Sequence, residues 1–152
     1  MNLASTQYHA QNNVLIATEN YLYQNGHLKE IKLNNSVSIW NLTSVNAFGQ
    51  PTGVTTGGYE RTYGYSAYGM PTSRTAKVTN ASTNFFNHTY NFNHATGNLN
   101  HRKDNSRTIP QENFGYDHLN RLNSFGGNTA AYMPNGNITL KTSNSERKSF
   151  LR

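Results

Sequence analysis

The sequence predicts an all-β protein made of consecutive antiparallel hairpins. Three observations predict it. The composition leans toward strands: the chain is 12% aromatic, with ten Tyr and 17 Thr, and both residue types suit half-buried strands. Aromatic-x-aromatic triplets recur along it, a period-two pattern that sets both rings on one face of a strand. Small turn residues follow at intervals near 20 residues, too short for most helical repeats and suited to a strand, a turn and a return strand.

The chain has 152 residues, 34% apolar and 13% charged, both well under the usual globular shares of roughly 45–50% and 25%. Uncharged polar residues fill the gap, with 24 Asn, 17 Thr and 12 Ser. Low hydrophobicity alone points to disorder, but disordered chains are usually charged and poor in aromatic and β-branched residues. The expectation is a β protein with a thin core and poorly ordered ends. The net charge of +6 is uneven: residues 1–76 carry four basic and three acidic residues, residues 77–152 nine and four. No dense Lys/Arg run accompanies it, so nucleic acid is not an expected partner. The absence of cysteine rules out disulfides and thiolate metal sites. No stretch approaches the ~18 apolar residues of a membrane span. No basic segment leads into an apolar run at the N-terminus, so no signal peptide is expected and export would need a signal outside this chain.

Six blocks carry the repeat, in order Tyr21–Leu28, Val45–Pro51, Tyr63–Pro71, Tyr90–Leu99, Phe114–Leu122 and Tyr132–Ile138. Their turn residues, Gly26, Gly49, Gly69, Gly97, Asn120 and Gly136, are spaced by 23, 20, 28, 23 and 16 residues. The paired aromatics are Tyr21/Tyr23, Tyr63/Tyr65, Tyr90/Phe92 and Phe114/Tyr116. Gly, and Asn in one block, tolerate the positive φ of tight hairpin turns. After the turn an apolar residue (Leu28, Leu99, Leu122 or Ile138) re-enters a strand, and β-leaning runs such as 13–18 and 36–40 lie between blocks. A single hairpin is marginal in water, so neighbouring hairpins must support one another.

Phe114-Gly115-Tyr116-Asp117-His118-Leu119-Asn120-Arg121-Leu122 resembles the YD-repeat signature, aromatic-x-Tyr-Asp-x-x-Gly-Arg-Leu, with Asn120 in the Gly place. Tyr90 to Leu99 resembles the variant ending in Gly-Asn-Leu, with one extra residue before Gly97, and Tyr132 to Ile138 resembles the ending Asn-Gly-Asn-Ile. The chain is thereby similar, over residues 20–140, to the Rhs/YD-repeat family of bacterial polymorphic toxins, the B and C components of insecticidal toxin complexes, and teneurins. The resemblance implies a β-sheet strip that spirals into a hollow shell around a toxic or self-cleaved segment; in teneurins a similar barrel supports extracellular recognition. It marks Tyr23, Gly26, Gly49, Tyr65, Gly69, Tyr90, Gly97, Tyr116, Asp117, Arg121, Leu122 and Gly136 as the repeat motif. The chain departs from the pattern where Gln24, Ser66 and Asn93 replace the Asp and where only Arg121 keeps the Arg. It is far shorter than a complete shell, so a fragment, a truncated product or a boundary segment is expected. Secretion or a cell-surface location would apply to a full-length protein of the family.

No catalytic constellation stands out. His9, His27, His88, His94, His101 and His118 lack the close pairing with a carboxylate or Cys of common zinc sites, and polar turn filler is the better reading. Ser, His and Asp occur without a nucleophile elbow. Among Asp104, Glu112, Asp117 and Glu146 nothing selects a glycosidase-like pair. Thr55–Gly58 and Gly126-Gly127 read as loops, since no Gly-Lys-Ser/Thr or helix follows. Sequons at Asn34, Asn41, Asn80, Asn87 and Asn137 are no more than so Asn-rich a chain shows by chance. Tyr23, Tyr65, Tyr116 and Arg121 are candidates for stacking on a ligand, although packing the sheet is the plainer role.

The reading is therefore a leading strand or flank (1–19), about six YD-type repeats (20–140) and a polar tail (141–152), forming a curved, unclosed repeat sheet. Its function is a structural segment of an encapsulating or scaffolding wall, without enzymatic activity, cofactor or metal. The alternative is a carbohydrate or cell-surface binding module. Expected partners are neighbouring repeats of a longer chain or further copies of this one, with a glycan as the alternative.

Overall fold

The computed structural model describes residues 4–142 and, in backbone alone, 147–149; parts of the flank and of the polar tail lie outside the described residues. Strands and turns make up the described chain, with no helix. The fourteen strands are β1 Ser5–His9, β2 Leu15–Gln24, β3 His27–Leu33, β4 Val37–Val45, β5 Pro51–Thr56, β6 Tyr59–Tyr65, β7 Pro71–Val78, β8 Phe86–Phe92, β9 Leu99–Asp104, β10 Glu112–Tyr116, β11 Leu122–Phe125, β12 Asn128–Tyr132, β13 Ile138–Thr142 and β14 Arg147–Ser149. The chain divides into two compact units, Met1–Gly64 with Thr75–Phe85, and Tyr65–Arg74 with Phe86–Arg152.

In the first unit β1 to β6 pair successively, each antiparallel to the next. In the second, β8 to β14 do the same. The all-β class and the run of antiparallel hairpins are as the sequence predicts.

Two kinds of turn join the strands, a division the sequence reading did not make. The wider kind spans Ala10–Val14, Asn46–Gln50, Ser66–Met70, Asp117–Arg121 and Met133–Asn137. In each, the first N–H donates to the fifth carbonyl and the fourth N–H to the first carbonyl. The fourth residue has positive φ: Asn13 63°, Gly49 75°, Gly69 76°, Asn120 58° and Gly136 90°. This is a type I turn closed by a left-handed residue, a common three-residue hairpin loop. The 93–98 turn follows the same plan with one extra residue. The tighter kind has two central residues at positive φ, as at Asn25-Gly26, Asn34-Asn35, Gly57-Gly58 and Gly126-Gly127, and matches the type I′ hairpin. The first block thus turns differently from the others, and two glycine segments expected to be loops are tight hairpin turns.

In four of the hairpins a bulge falls just inside the return strand. Leu28, Leu99, Leu122 and Ile138 pair across the hairpin, and the next residues, Lys29, Asn100, Asn123 and Thr139, are the extra ones. The aromatic-bearing strand stays regular opposite them, which keeps rings two residues apart on one face. The core is thin. Val54 and Ala76 are the buried hydrophobic residues, and no described side chain is fully buried.

Candidate functional site

The YD-like motif works at the turns. Asp117 accepts hydrogen bonds through Oδ1 from the N–H groups of Leu119 (2.9 Å) and Arg121 (3.0 Å). Its Oδ2 accepts from Arg121 Nε at 2.6 Å. Asn46 Oδ1 accepts in the same pattern from Phe48 and Gln50, both at 3.0 Å. Ser66 Oγ accepts from Tyr68 and Met70, both at 3.2 Å. Asn93 Oδ1 accepts from Ala95 at 2.9 Å. At four of these turns the first position thus holds a short side chain carrying an acceptor, which Asp, Asn and Ser all supply; Ala10 begins the same kind of turn without one. In the sixth turn Met133 has no such oxygen, and Asn135 Oδ1 accepts from Asn137 at 3.1 Å instead. Burial pushes the Asp117 carboxyl up, but the Arg121 N–H and guanidinium and the Leu119 N–H outweigh it and hold the group below its ordinary value.

Around these turns the second unit is stitched laterally by side chains. Pairing between β9 and β10 is confined to Glu112↔Arg102 and Asn113↔His101. Toward the turns Tyr116 takes over, its hydroxyl donating to the Leu99 carbonyl at 3.2 Å. Between β11 and β12 the pairs are Ser124↔Thr129 and Phe125↔Asn128, and beyond them Tyr132 donates to the Leu122 carbonyl at 2.7 Å. Arg121 reaches forward, donating from Nη1 to the Met133 carbonyl at 3.1 Å and lying 4.6 Å over the Tyr132 ring. Asn98 donates to Asn120 Oδ1 at 2.9 Å, and the Tyr68 and His94 rings stack at 4.4 Å, 6° from parallel. In the fifth repeat, then, the Tyr binds the preceding hairpin, the Asp closes its own turn, and the Arg binds the following hairpin.

The remaining motif residues lie on the same framework. Gly26, Gly49, Gly69, Gly97 and Gly136 all hold positive φ. Tyr65 and Tyr90 are half-buried, and the Tyr90 hydroxyl lies 3.4 Å from His88 Nδ1. Of the stacking candidates, Tyr23 is in the first unit and Tyr65, Tyr116 and Arg121 are in the second. The Arg121 guanidinium faces Tyr132, a ring the sequence reading did not single out. Two strand glycines were also missed. A Cβ on Gly115 would collide with Ser124 Oγ, and one on Gly53 with Thr43 Oγ1. The available signal was a glycine inside a strand, which often marks close approach of a neighbour; Phe114-Gly115-Tyr116 carries it.

The ionisable residues pair locally. Asp104 lies 3.5 Å from His88 Nε2 and 3.4 Å from Arg107 Nε. Its carboxyl is held below the ordinary value, foremost by the Ser106 hydroxyl against the opposing effect of burial, with the Ser106 N–H and His88 adding to it. Glu112 pairs with Arg102 at 2.6 Å. Glu60 pairs with Lys77 at 3.1 Å, and that contact leads in lowering its pKa. Glu146 lies outside the described residues. Among the described residues no three His, Asp or Glu side chains gather as metal ligands, and no helix is long and apolar enough to cross a membrane.

No protein-family model matches the sequence, and no curated protein matches it. In fold the chain is similar to parts of toxin-complex structures. The Photorhabdus luminescens Tc holotoxin pore aligns with it at a TM-score of 0.73 and 14% identity, covering 96% of this chain and 9% of that chain. Two crystal structures of TcdB2–TccC3, one with TEV and one with Cdc42, align at a TM-score of 0.72 with 14% and 15% identity and the same coverage. The likeness is one of fold, and this chain spans 9% of the length of the toxin chains it matches. The resemblance to YD repeats, drawn from motifs, is thus joined by a likeness in fold to toxin-complex structures.

Proposed function

We propose that this chain is a structural segment of a YD-type β wall, with a scaffolding or enclosing role and no catalysis. One observation carries the reading: in the second unit tyrosine and arginine side chains beside the wide turns bond from hairpin to hairpin. Tyr116, Arg121 and Tyr132 each reach a neighbouring hairpin's backbone, an arrangement that extends a sheet. The fold shared with toxin-complex chains over 96% of this sequence supports it. So does the thin core, because a lone layer of sheet needs a partner layer or further strands to become stable.

The test is circular dichroism with size-exclusion light scattering on the purified 152-residue chain. The wall reading expects β signal in oligomers, since the outermost strands offer unpaired backbone groups to another chain. A monomer that stays stable across a wide concentration range would overturn it.

A further inference from the structure

The junction between β3 and β4, within the first unit, breaks the stitching scheme. Its ladder runs from Leu33↔Val37 to Glu30↔Asn41 and stops. Beyond that, His27 and Leu28 pair with β2, while Leu42, Ser44 and Val45 pair with β5. At the corresponding splits of the second unit, the residue just ahead of the wide turn is Tyr116 or Tyr132, and its hydroxyl reaches Leu99 or Leu122. Here that place belongs to Val45, ahead of Asn46, and Leu28 stands where Leu99 and Leu122 stand. Valine brings neither ring nor hydroxyl. A cleft of about 560 Å³ occupies the split, within the rough 300–1,000 Å³ range of small-ligand sites.

Its lining has a distinct chemistry. Trp40, with Leu28 and Leu42, supplies an aromatic ring and apolar surface. Gln24, Asn25 and Asn46 bring amides. Lys29 and His27 are the ionisable side chains of the lining, which holds no Asp or Glu. Lys29 Nζ donates to the Leu42 carbonyl across the split, and an ammonium has further N–H groups to offer. An added β-strand would need that carbonyl, whereas a sugar would not. A pyranose ring offers an apolar face to tryptophan and hydroxyls to amides, and a ring carboxylate would complete the charge of Lys29. We propose that this cleft binds an acidic sugar of the uronic-acid type.

Trp40 is the only tryptophan of the chain, so its fluorescence reports on this cleft directly. The experiment titrates the full chain with di- and trigalacturonate, with maltose as the neutral sugar and an acidic, tyrosine-containing peptide as the competing class. The expected result is a saturable change with the galacturonates that weakens with salt. Lys29→Gln should weaken it about tenfold, the loss of one charge-assisted contact, with the circular dichroism spectrum unchanged. Val45→Tyr should fill the split, abolish binding and raise the melting temperature. The proposal is overturned by an absent response, by an equal response to maltose, by tighter binding of the peptide, or by binding that survives Val45→Tyr. The wall reading fails on assembly state instead, so the two failures are distinguishable.

Discussion

At Gly97 and Gly136 backbone conformation selects glycine, because a Cβ there would meet nothing within 4 Å. Their φ values of 76° and 90° lie where an L-residue is disfavoured by roughly 1–2 kcal/mol, and a β-branched one is a clear outlier. Replacing both by Val should therefore cost at least about 2–4 kcal/mol, a large share of a typical domain's roughly 5–15 kcal/mol. The β signal of the double variant should be lost or its melting temperature sharply lowered; an unchanged spectrum and melt would contradict the turn geometry. The tyrosine hydroxyls act by a different route. Tyr116→Phe and Tyr132→Phe keep the rings and remove the donors to Leu99 and Leu122. Each should cost about 1 kcal/mol and lower the melting temperature by about 2–4 °C for a chain of this size. Tyr23→Phe has no such hydroxyl bond to lose among the described residues and serves as the control.

Within an element, the wide turn couples a cap to an ion pair through Asp117 and Arg121. The Asp117 carboxyl is held below its ordinary value. Its contribution is therefore complete above the unfolded carboxylate pKa of about 3.9 and is lost as pH falls through the lower folded value. Urea midpoints measured from about pH 7 to about pH 2 should fall on the acid side. Asp117→Asn keeps the cap acceptor, as Asn46 and Asn93 do, but removes this titration. That variant should be less stable at neutral pH and lose less on acidification than the parent; an identical acid limb would show that Asp117 carries none of the dependence. The capping position was only partly legible in the sequence. Ser66 and Asn93 stand in the sequence as departures from Asp, yet the structure shows one acceptor chemistry retained under different residue names.

Across the whole molecule, the shortage of buried side chains sets behaviour. Among the described residues Val54 and Ala76 are the buried hydrophobic ones, whereas Ile16, Val37, Phe48 and Val78 are each more than half exposed. Apolar surface and strand edges left open in this way favour association. The isolated chain should sediment as oligomers whose size grows with concentration. Adding further repeats at either end should shift it toward a defined species with a higher melting temperature. A concentration-independent monomer would show that the chain stabilises itself by means the described residues do not reveal.

The sequence by itself determined the all-β class, the succession of hairpins and the places of most wide turns. Those features are local: alternation has a period of two, and a positive φ selects Gly or Asn within a few residues. Asn34-Asn35 and the two Gly-Gly turns are equally local, but they lie outside the repeat blocks. Only the tertiary structure decided how hairpins join. Tyr116 meets Leu99 across 17 residues and Arg121 meets Met133 across 12, and the need for those bonds arises where a backbone ladder stops. The same cause separates the closed splits at Tyr116 and Tyr132 from the cleft beside Val45. A valine in a strand is unremarkable in the sequence, and it becomes a gap only where its own strand parts from the preceding one.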